Sequence, residues 1–480
     1  MSPRSCLSLI GYLLLCSCTE DLTAHLDAAP ILDGGLSDHR GEAPVLTLHR
    51  EQVNQLVKPI LDGEWTMGLV VGLISAAGQR EVYGFGKTSA SGGLPEGDTL
   101  FEIGSISKTF TSLLLAQMTQ DYVSLNQPVQ ELLPAAKVTL PRKAGVAITL
   151  KHLATHVSGF PRMPDNFSPA DPQNPYVDYG RDQLYAFING YTLTREPGIG
   201  WLYSNVAAGL LGHALSVKLG SEYGLLLKSS ITDPLKMWDT SINLSATQQT
   251  RLATGHDDQL DPKKAWTFDV LAPAGALRST ADDMLTYLAA QATISKTALR
   301  AAMDLTQQVH YDHKDLSFSM GLGWIINEGR YRWHNGGTGG FGSFAGFDPQ
   351  SRTAVVVLAN TITAQAPETL LGHQLLKLMA GESYASIKLP PSLKLPAATL
   401  DRYVGSYALG TQLTVTIARQ GDYLTYQEQS SSRAHRMHAE ADTSFYLRST
   451  ALQLVFVKGA QETYDTLVLK QGNKSYTLKR

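Results

Sequence analysis

The pattern of apolar residues divides the chain into a strand-rich start, a helix-rich middle and a strand-rich end. The apolar runs 69–75 and 81–87, joined through a turn near Gly78, predict a β-hairpin. In 105–119 the apolar residues recur at steps of three and four, which is typical of a buried helix. Further helical patterns lie in the middle of the chain, at 182–187, 206–219 and 281–291.

Strand patterns return after this middle part. They lie at 318–326, 331–334, 343–347 and 353–359, and a helical pattern at 368–380 follows them. Strands at both ends with helices between them predict one sheet that is assembled from distant segments, with a helical region inserted. We therefore expect an α+β fold over 45–385, with a crevice between the sheet and the helical region.

A different pattern begins after the prolines at 390, 391 and 396. Short alternating runs separated by turns lie at 412–417, 423–427, 444–447, 452–457 and 466–469. They predict a separate, small all-β domain over 395–480 that is barrel-like.

The N-terminus contains all the cysteines of the chain, namely Cys6, Cys16 and Cys18. Arg4 precedes an apolar stretch at 7–15, which is far shorter than the ~20 residues needed to span a bilayer. Residues 1–18 therefore read as a signal peptide, and we expect an exported, periplasmic protein. Residues 19–44 lack helical or strand periodicity, which is typical of a flexible tether.

Two interpretations of Cys18 are open. The sequence Leu15-Cys16-Ser17-Cys18 resembles the lipobox of bacterial lipoproteins, in which the sulfur of the last cysteine is acylated. Cys18 would then anchor the chain to a membrane, such as the outer membrane. The alternative is an ordinary cleaved secretory signal with incidental cysteines.

Composition narrows the range of partners. Hydrophobic residues make up 43% of the chain and charged residues 17%, against roughly 25% charged in an average soluble protein, so a compact globule is expected. The net charge is −3 and no basic block is present, which argues against a nucleic acid partner. No cysteine follows Cys18, and Leu153 stands between His152 and His156 where a zinc protease helix has its glutamate. We expect neither a metal nor a cofactor.

Ser105 and Lys108 form the first of three short motifs. They stand three residues apart at the start of a predicted helix, so the Lys108 amine can reach the Ser105 hydroxyl. A serine needs a base to become a nucleophile, and a desolvated lysine can help to supply one. The helix N-terminus also offers free N–H groups to a developing oxyanion. Alone, such a pair is a weak signal, because it occurs by chance in many chains of this length.

The second motif is Tyr203-Ser204-Asn205. In an extended backbone Tyr203 and Asn205 lie on one side and Ser204 on the other. The alternative is a structural role, because Ser204 or Asn205 can cap the helix that is predicted from Val206.

The third motif is the glycine-rich run that follows His334. Its segment 337–342 matches the dinucleotide pattern GxGxxG, but that pattern must open a helix, whereas a strand pattern follows here. We therefore reject a nucleotide site and interpret the run as a glycine-rich edge strand that a ligand backbone can approach closely. The sequence also lacks the GxSxG nucleophile elbow of α/β-hydrolases.

In this order and at these separations, the three motifs together resemble the penicillin-recognising serine hydrolases, which include class C β-lactamases, DD-carboxypeptidases and related esterases. Other stretches that look like this family are 101–105, 153–159, Pro197-Gly198, 273–277 and 339–343. The resemblance implies a β-lactamase/transpeptidase-like fold, in which helices flank an antiparallel sheet beside an all-helical region. The tail from about residue 400 resembles a lipocalin-like β domain.

The resemblance also implies catalytic roles. Ser105 would be the nucleophile that becomes acylated, and Lys108 and Tyr203 would pass its proton to the leaving group. Asn205 would hold Lys108 and the substrate amide. The backbone N–H groups of Ser105 and Gly337 would form the oxyanion hole.

The remaining implied substrate-binding positions are His334, Gly336, Gly337 and Thr338. His334 would orient Tyr203 and the substrate carboxylate. It stands where class C β-lactamases carry a lysine and some DD-peptidases a histidine. A lysine is a permanent cation at neutral pH, whereas a histidine is charged only in part near its reference pKa of about 6.5. This departure puts efficient β-lactamase activity in doubt.

The sequence leaves four functions open. The first is an exported DD-carboxypeptidase or endopeptidase that acts on D-Ala-containing peptidoglycan peptides, which export and His334 favour. The second is a class C type β-lactamase that hydrolyses β-lactam antibiotics, and the third is a related esterase. The fourth is a binder of cell-wall fragments without catalysis, against which the intact Ser105, Lys108, Tyr203 and Asn205 argue.

Overall fold

The computed structural model describes residues 49–312, 317–459 and 463–480. The predicted signal peptide with Cys18, the predicted tether and residues 45–48 lie outside these ranges. Within them, none of the helices combines the length and the apolar character that crossing a membrane requires.

An eight-stranded antiparallel sheet forms the centre of the N-terminal region. From edge to edge its strands are β2 (Arg80–Gly86), β1 (Gly68–Ile74), β12 (Thr353–Ala359), β11 (Gly342–Asp348), β10 (Tyr331–Gly337), β9 (Ile325–Asn327), β8 (Phe318–Met320) and β7 (Tyr311–Asp312). Two short pairs lie outside it: β3 (Phe101–Glu102) with β6 (Arg278–Ser279), and β4 (Gly255–His256) with β5 (Pro262–Lys263). The first hairpin of the region thus pairs with a strand from its end, as the sequence pattern predicts.

Helices cover both faces of this sheet and form the inserted region. They are α1 (Arg50–Asp62), α2 (Ser107–Met118), α3 (Leu150–Ala154), α4 (Arg181–Gly190), α5 (Asn205–Leu219), α6 (Tyr223–Leu227), α7 (Asp233–Leu235), α8 (Ala246–Gln249), α9 (Ala281–Gln291), α10 (Arg300–Gln307) and α11 (Pro367–Met379). The fold class is α+β, as the sequence pattern predicts.

The central strands are apolar throughout because both of their faces are buried. In β1, Val70 and Ile74 belong to the core on the side of α2, α5 and α9, whereas Leu69, Val71 and Leu73 belong to the core under α1 and α11. Alternation along the strand therefore divides one apolar run between two cores.

Strand β10 is interior to the sheet over its first half only. Its pairing with β9 ends at Trp333, while its pairing with β11 continues to Gly337. From His334 onward, its free side meets the 3₁₀ turn Gly104–Ile106 that leads into α2. The expected edge strand is therefore found at His334–Gly337, but the first half of β10 is not an edge.

The C-terminal region is a closed antiparallel barrel of eight strands, which confirms the predicted β domain. A short helix, α12 (Ala397–Leu400), precedes it. The strands are β13 (Gly405–Leu409), β14 (Leu413–Gln420), β15 (Tyr423–Glu428), β16 (His435–Ala439), β17 (Ser444–Leu447), β18 (Gln453–Val457), β19 (Thr466–Gln471) and β20 (Lys474–Lys479). Buried Tyr407, Tyr426, Phe456 and aliphatic side chains fill its interior.

Two arginines attach the barrel to the N-terminal region. Arg433 Nη2 donates to Asp257 Oδ2 at 2.7 Å and to Asp258 Oδ1 at 3.0 Å. Arg448 donates to the carbonyl oxygens of Gly63 and Glu64, both at 2.7 Å. Guanidinium groups form several directed hydrogen bonds at once, so both contacts fix orientation as well as distance.

Candidate active site

The turn before α2 places the first motif. Lys108 Nζ lies 2.8 Å from Ser105 Oγ and donates to the carbonyl oxygen of Ala274 at 2.6 Å. Lys108 is buried, although it is a lysine. The spacing of three residues thus gives the hydrogen bond that the sequence predicts, and the amine lies within proton-transfer distance of the hydroxyl.

Two glycines let the free side of β10 approach Ser105. A Cβ on Gly336 would lie 2.9 Å from the Ser105 nitrogen, and a Cβ on Gly104 would lie 2.7 Å from the Gly337 nitrogen. Gly104 also has a φ of +47°, a conformation that favours glycine. The backbone at 104–105 and the backbone at 336–337 therefore pass so close to each other that a side chain on either glycine would clash.

The second motif serves both roles that the sequence leaves open. Ser204 is the N-cap of α5, with an extended backbone, and its Oγ accepts the Ala207 N–H at 3.0 Å. The Tyr203 ring next to it lies in the site, with Lys108 Nζ 4.9 Å from its centroid. The cap fixes the start of the helix and thereby the position of Tyr203.

Asn205 begins α5 at the side of the site. Its N–H donates to the carbonyl oxygen of Arg162 at 2.9 Å, and its Nδ2 lies 3.4 Å from Met163 Sδ. The structure therefore attaches Asn205 to the segment after α3. Its implied contacts with Lys108 and a substrate amide stay predictions.

His334 comes from the third motif and faces the same tyrosine, with ring centroids 6.0 Å apart. Its Nδ1 donates to the carbonyl oxygen of Asn335 at 2.5 Å. Burial, reinforced by the Lys108 charge, lowers the pKa of His334 to about 3. The ring is therefore neutral at pH 7, and the difference from a lysine at this position is larger than the reference pKa suggests.

Thr338 lies within the glycine-rich run and is the first residue of the turn between β10 and β11. Its N–H donates to the carbonyl oxygen of Phe341 at 3.0 Å, and its side chain is buried. Gly336, Gly337 and Thr338 thus line the same end of β10, beside Ser105.

Sequence reasoning missed His156 as a residue of the site. Its ring centroid is 4.4 Å from that of Tyr203, and its Nδ1 accepts the Ser204 N–H at 3.1 Å. Burial, with the charges of Lys108 and Arg162 acting in the same direction, lowers the pKa of His156 well below its ordinary value. The family-like stretch 153–159 contains this residue and was the available signal.

A buried ion pair supports the turn that holds Ser105. Glu102 Oε1 accepts hydrogen bonds from Arg278 Nη2 at 3.1 Å and from the Trp266 N–H at 2.8 Å. Burial raises the pKa of Glu102, and the Arg278 charge opposes that rise. Sequence reasoning missed this pair as well, because its partners lie far apart in the chain.

Glu368 is a second buried carboxyl group, behind β10 and β11. A Cβ on Gly342 would lie 2.9 Å from its Oε2, and Thr369, its neighbour, accepts a hydrogen bond from Asn335 Nδ2 at 3.3 Å. Burial raises the pKa of Glu368 to about 8. The carboxyl group is therefore mostly protonated in the folded protein at neutral pH.

Glu368→Gln is expected to stabilise the protein at neutral pH. In the unfolded chain this carboxyl group ionises near pH 4.5, so the folded state binds the extra proton between pH 4.5 and 8 and loses stability as the pH rises through that window. Removing the group should raise the free energy of unfolding by ~3 kcal/mol at pH 7 and by little at pH 4.5. Urea denaturation at both pH values measures this difference. The exposed Glu131→Gln is the control, and an equal gain at both pH values would contradict the prediction.

Comparisons with known proteins identify the family of this chain. The sequence model of the β-lactamase family matches residues 53–376, more than half of the 480 residues. The chain therefore belongs to the β-lactamase family. As a member of it, the protein is a serine hydrolase that works through an acyl-enzyme.

Relatives within the family include both peptidases and β-lactamases. The chain is 28% identical over 324 residues to the D-alanyl-D-alanine-carboxypeptidase/endopeptidase AmpH of Escherichia coli strain K12, covering 64% of this chain and 82% of that protein. It is 26% identical over 354 residues to a β-lactamase of Providencia stuartii, covering 65% of this chain and 87% of that protein.

A solved structure shows the same fold. It is the β-lactamase/D-alanine carboxypeptidase from Yersinia pestis in complex with citrate, with a TM-score of 0.59 and 26% identity over 70% of this chain and 99% of that one. The barrel β13–β20 follows the segment that the family model matches.

Proposed function

We propose that this chain is an exported DD-carboxypeptidase or endopeptidase that cleaves D-Ala-containing peptidoglycan peptides through acylation of Ser105. The observation that carries the proposal is the 2.8 Å contact between Lys108 Nζ and Ser105 Oγ, made under the Tyr203 ring and beside the free end of β10. Export rests on the predicted signal 1–18, for which both interpretations of Cys18 stay open. We assign residues 45–385 to the hydrolase domain, which contains the site, and residues 395–480 to the β domain.

The proposed reaction begins at Ser105. As Oγ attacks the carbonyl carbon before the terminal D-Ala, its proton passes to Lys108 and Tyr203. The N–H groups of Ser105 and Gly337 stabilise the oxyanion, and one such donor typically lowers a barrier by ~3 kcal/mol. Their proximity through Gly104 and Gly336 supports this role.

The following steps complete the acylation and then remove the acyl group. Tyr203 donates the proton to the leaving amine, and D-Ala departs. Water then attacks the ester carbonyl, its proton is taken by the same groups, and Ser105 Oγ is reprotonated. The lifetime of this ester separates a peptidase from a β-lactamase when the substrate is a β-lactam.

The neutral state of His334 favours the peptidase over the β-lactamase. According to the family resemblance, class C β-lactamases have a lysine at this position and some DD-peptidases have a histidine. Because burial keeps His334 neutral, this strand contributes no positive charge at this position. The second candidate is a β-lactamase, which the similarity to the Providencia stuartii enzyme favours.

Three substrates separate these functions. We expect release of D-Ala from a D-Ala-D-Ala-terminated peptide, and a burst of nitrocefin hydrolysis that equals the enzyme concentration and then stalls. Intact-mass spectrometry after a separate incubation with a penicillin should show the penicilloyl adduct and its slow decay. Sustained nitrocefin turnover without D-Ala release would show a β-lactamase instead, and p-nitrophenyl butyrate turnover alone would show an esterase.

A further inference from the structure

The Tyr203 ring has two cations beside it. Arg162 Cζ lies 5.0 Å from the ring centroid, and Lys108 Nζ lies 4.9 Å from the same centroid. A cation within about 6 Å of a ring centroid is attracted by the negative face of the ring. Arg162 stands outside the three sequence motifs.

The backbone around Arg162 is attached to the Tyr203 motif. The carbonyl oxygen of Pro161 accepts the Ser204 hydroxyl at 2.6 Å, and that of Arg162 accepts the Asn205 N–H at 2.9 Å. These bonds hold the two peptide groups that flank the Arg162 Cα against the start of α5. The Arg162 side chain therefore begins from a backbone position that is tied to the Tyr203 motif.

The aromatic and imidazole rings that face Tyr203 carry no permanent charge. His156, from the loop after α3, and His334, from β10, are both buried, and burial lowers the pKa of each. Trp201, which precedes Tyr203, is neutral. Lys108, from α2, exchanges a proton in the proposed reaction, so its charge changes. Arg162 alone among these facing groups stays positive throughout, because a guanidinium does not deprotonate in proteins.

We propose that Arg162 is a positioning residue that supplies the constant positive charge which position 334 of β10 lacks in this chain, and that it stabilises Tyr203 in its proton-accepting, phenolate form. The inference rests on the proposed function, since it assigns an electrostatic partner to the same tyrosine. A nearby positive charge favours the anionic form of an acid. The guanidinium acts through Tyr203 and not on the substrate.

Arg162→Gln is expected to move the pH profile. Without the cation the phenolate becomes less stable, so the acid-side limb of kcat/KM should shift toward alkaline pH by about one unit. The rate below that limb should fall about tenfold, while the rate at alkaline pH approaches that of the wild type. Nitrocefin acylation and D-Ala release, each followed from pH 5 to 10, measure the shift.

Two variants separate charge from structure. Arg162→Lys keeps a cation, so the acid-side limb of its kcat/KM profile should lie close to that of the wild type. Arg162→Met has no cation and should behave as Arg162→Gln does. Arg195→Gln is the matched control, because Arg195 Nη1 donates to the carbonyl oxygen of Trp201 at 3.4 Å without facing the Tyr203 ring. A structural role alone would lower the rate at every pH and leave the limb in place.

The outcomes distinguish this inference from the proposed function. If Ser105→Ala still hydrolyses the substrates, the proposed function fails. If hydrolysis requires Ser105 but the neutral Arg162 variants keep the limb of the wild type, the proposed function stands and the role of Arg162 is overturned. If circular dichroism shows that Arg162→Gln does not fold, Arg162→Met provides the same comparison. The role of Arg162 is also overturned if the acid-side limb of Arg162→Lys is displaced as far as that of Arg162→Met.

Discussion

Ser105→Ala is expected to form no covalent adduct with a labelled penicillin and to lose about 10⁴-fold or more in hydrolysis. The reason is that the acyl-enzyme needs an oxygen at this position, and Lys108 then has no hydroxyl to deprotonate. Removing the nucleophile of a serine hydrolase leaves only the rate that binding and the oxyanion hole provide. Intact-mass spectrometry after incubation, with turnover on the D-Ala peptide, measures both effects.

Ser107→Ala is the matched control for this substitution. Ser107 lies two residues further along and is fully buried, and its Oγ accepts the Leu277 N–H at 3.1 Å. Losing that bond should lower the free energy of unfolding by about 1–3 kcal/mol and leave the adduct intact. A penicillin adduct on Ser105→Ala, or its absence from a folded Ser107→Ala protein, would contradict Ser105 as the nucleophile.

Lys108→Met is expected to be nearly as damaging, with acylation slowed about 10³-fold or more. A methionine fills most of the volume of the lysine, so the loss reports the amine and not a cavity. Without Nζ, the Ser105 hydroxyl loses its partner at 2.8 Å, and no activated nucleophile remains. Stopped-flow acylation by nitrocefin measures the rate, and thermal unfolding checks that the variant folds.

The control for Lys108 is Lys58→Met on α1, where the lysine side chain is exposed and pairs with Asp62. Its acylation rate should equal that of the wild type. A Lys108→Met rate within tenfold of the wild type would remove the lysine from the mechanism.

His334→Ala should lower the acylation rate less than Lys108→Met does and should change the preference between substrates.

Apolar runs predict the sheet well where burial is continuous. Helix α9 and strand β12 have the bounds that the pattern predicts, 281–291 and 353–359. The run 318–326, in contrast, is two strands, β8 and β9. The turn between them contains the buried Leu322 and Trp324, so an apolar sequence hides a change of direction.

The barrel was predicted less completely. Strands β16 and β20 were missed because most of their residues are polar, and β13 was missed because it has a single buried residue, Tyr407. His435 and His438 of β16 are buried, although histidine is a polar residue. Their burial depends on neighbouring strands and segments, which a local pattern does not contain.

The same limit holds in the site. The three motifs could be found from residue types and order, since each is local and their combination resembles a known family. The placement of Arg162 and His156 against Tyr203 could not, because it arises only when the loop after α3 is bonded to the start of α5. Nor does a sequence show that burial removes the charge of His334.

The arginine contact between barrel and hydrolase has a consequence for how this architecture can be recombined. Asp257, which Arg433 binds, directly follows β4, and the His256 N–H of β4 donates at 3.0 Å to the carbonyl oxygen of Gly340 in the hairpin that begins with Gly337. The two units are therefore not interchangeable modules. A barrel grafted from another protein would keep this link to the hairpin beside the nucleophile only if it presented a guanidinium at this location.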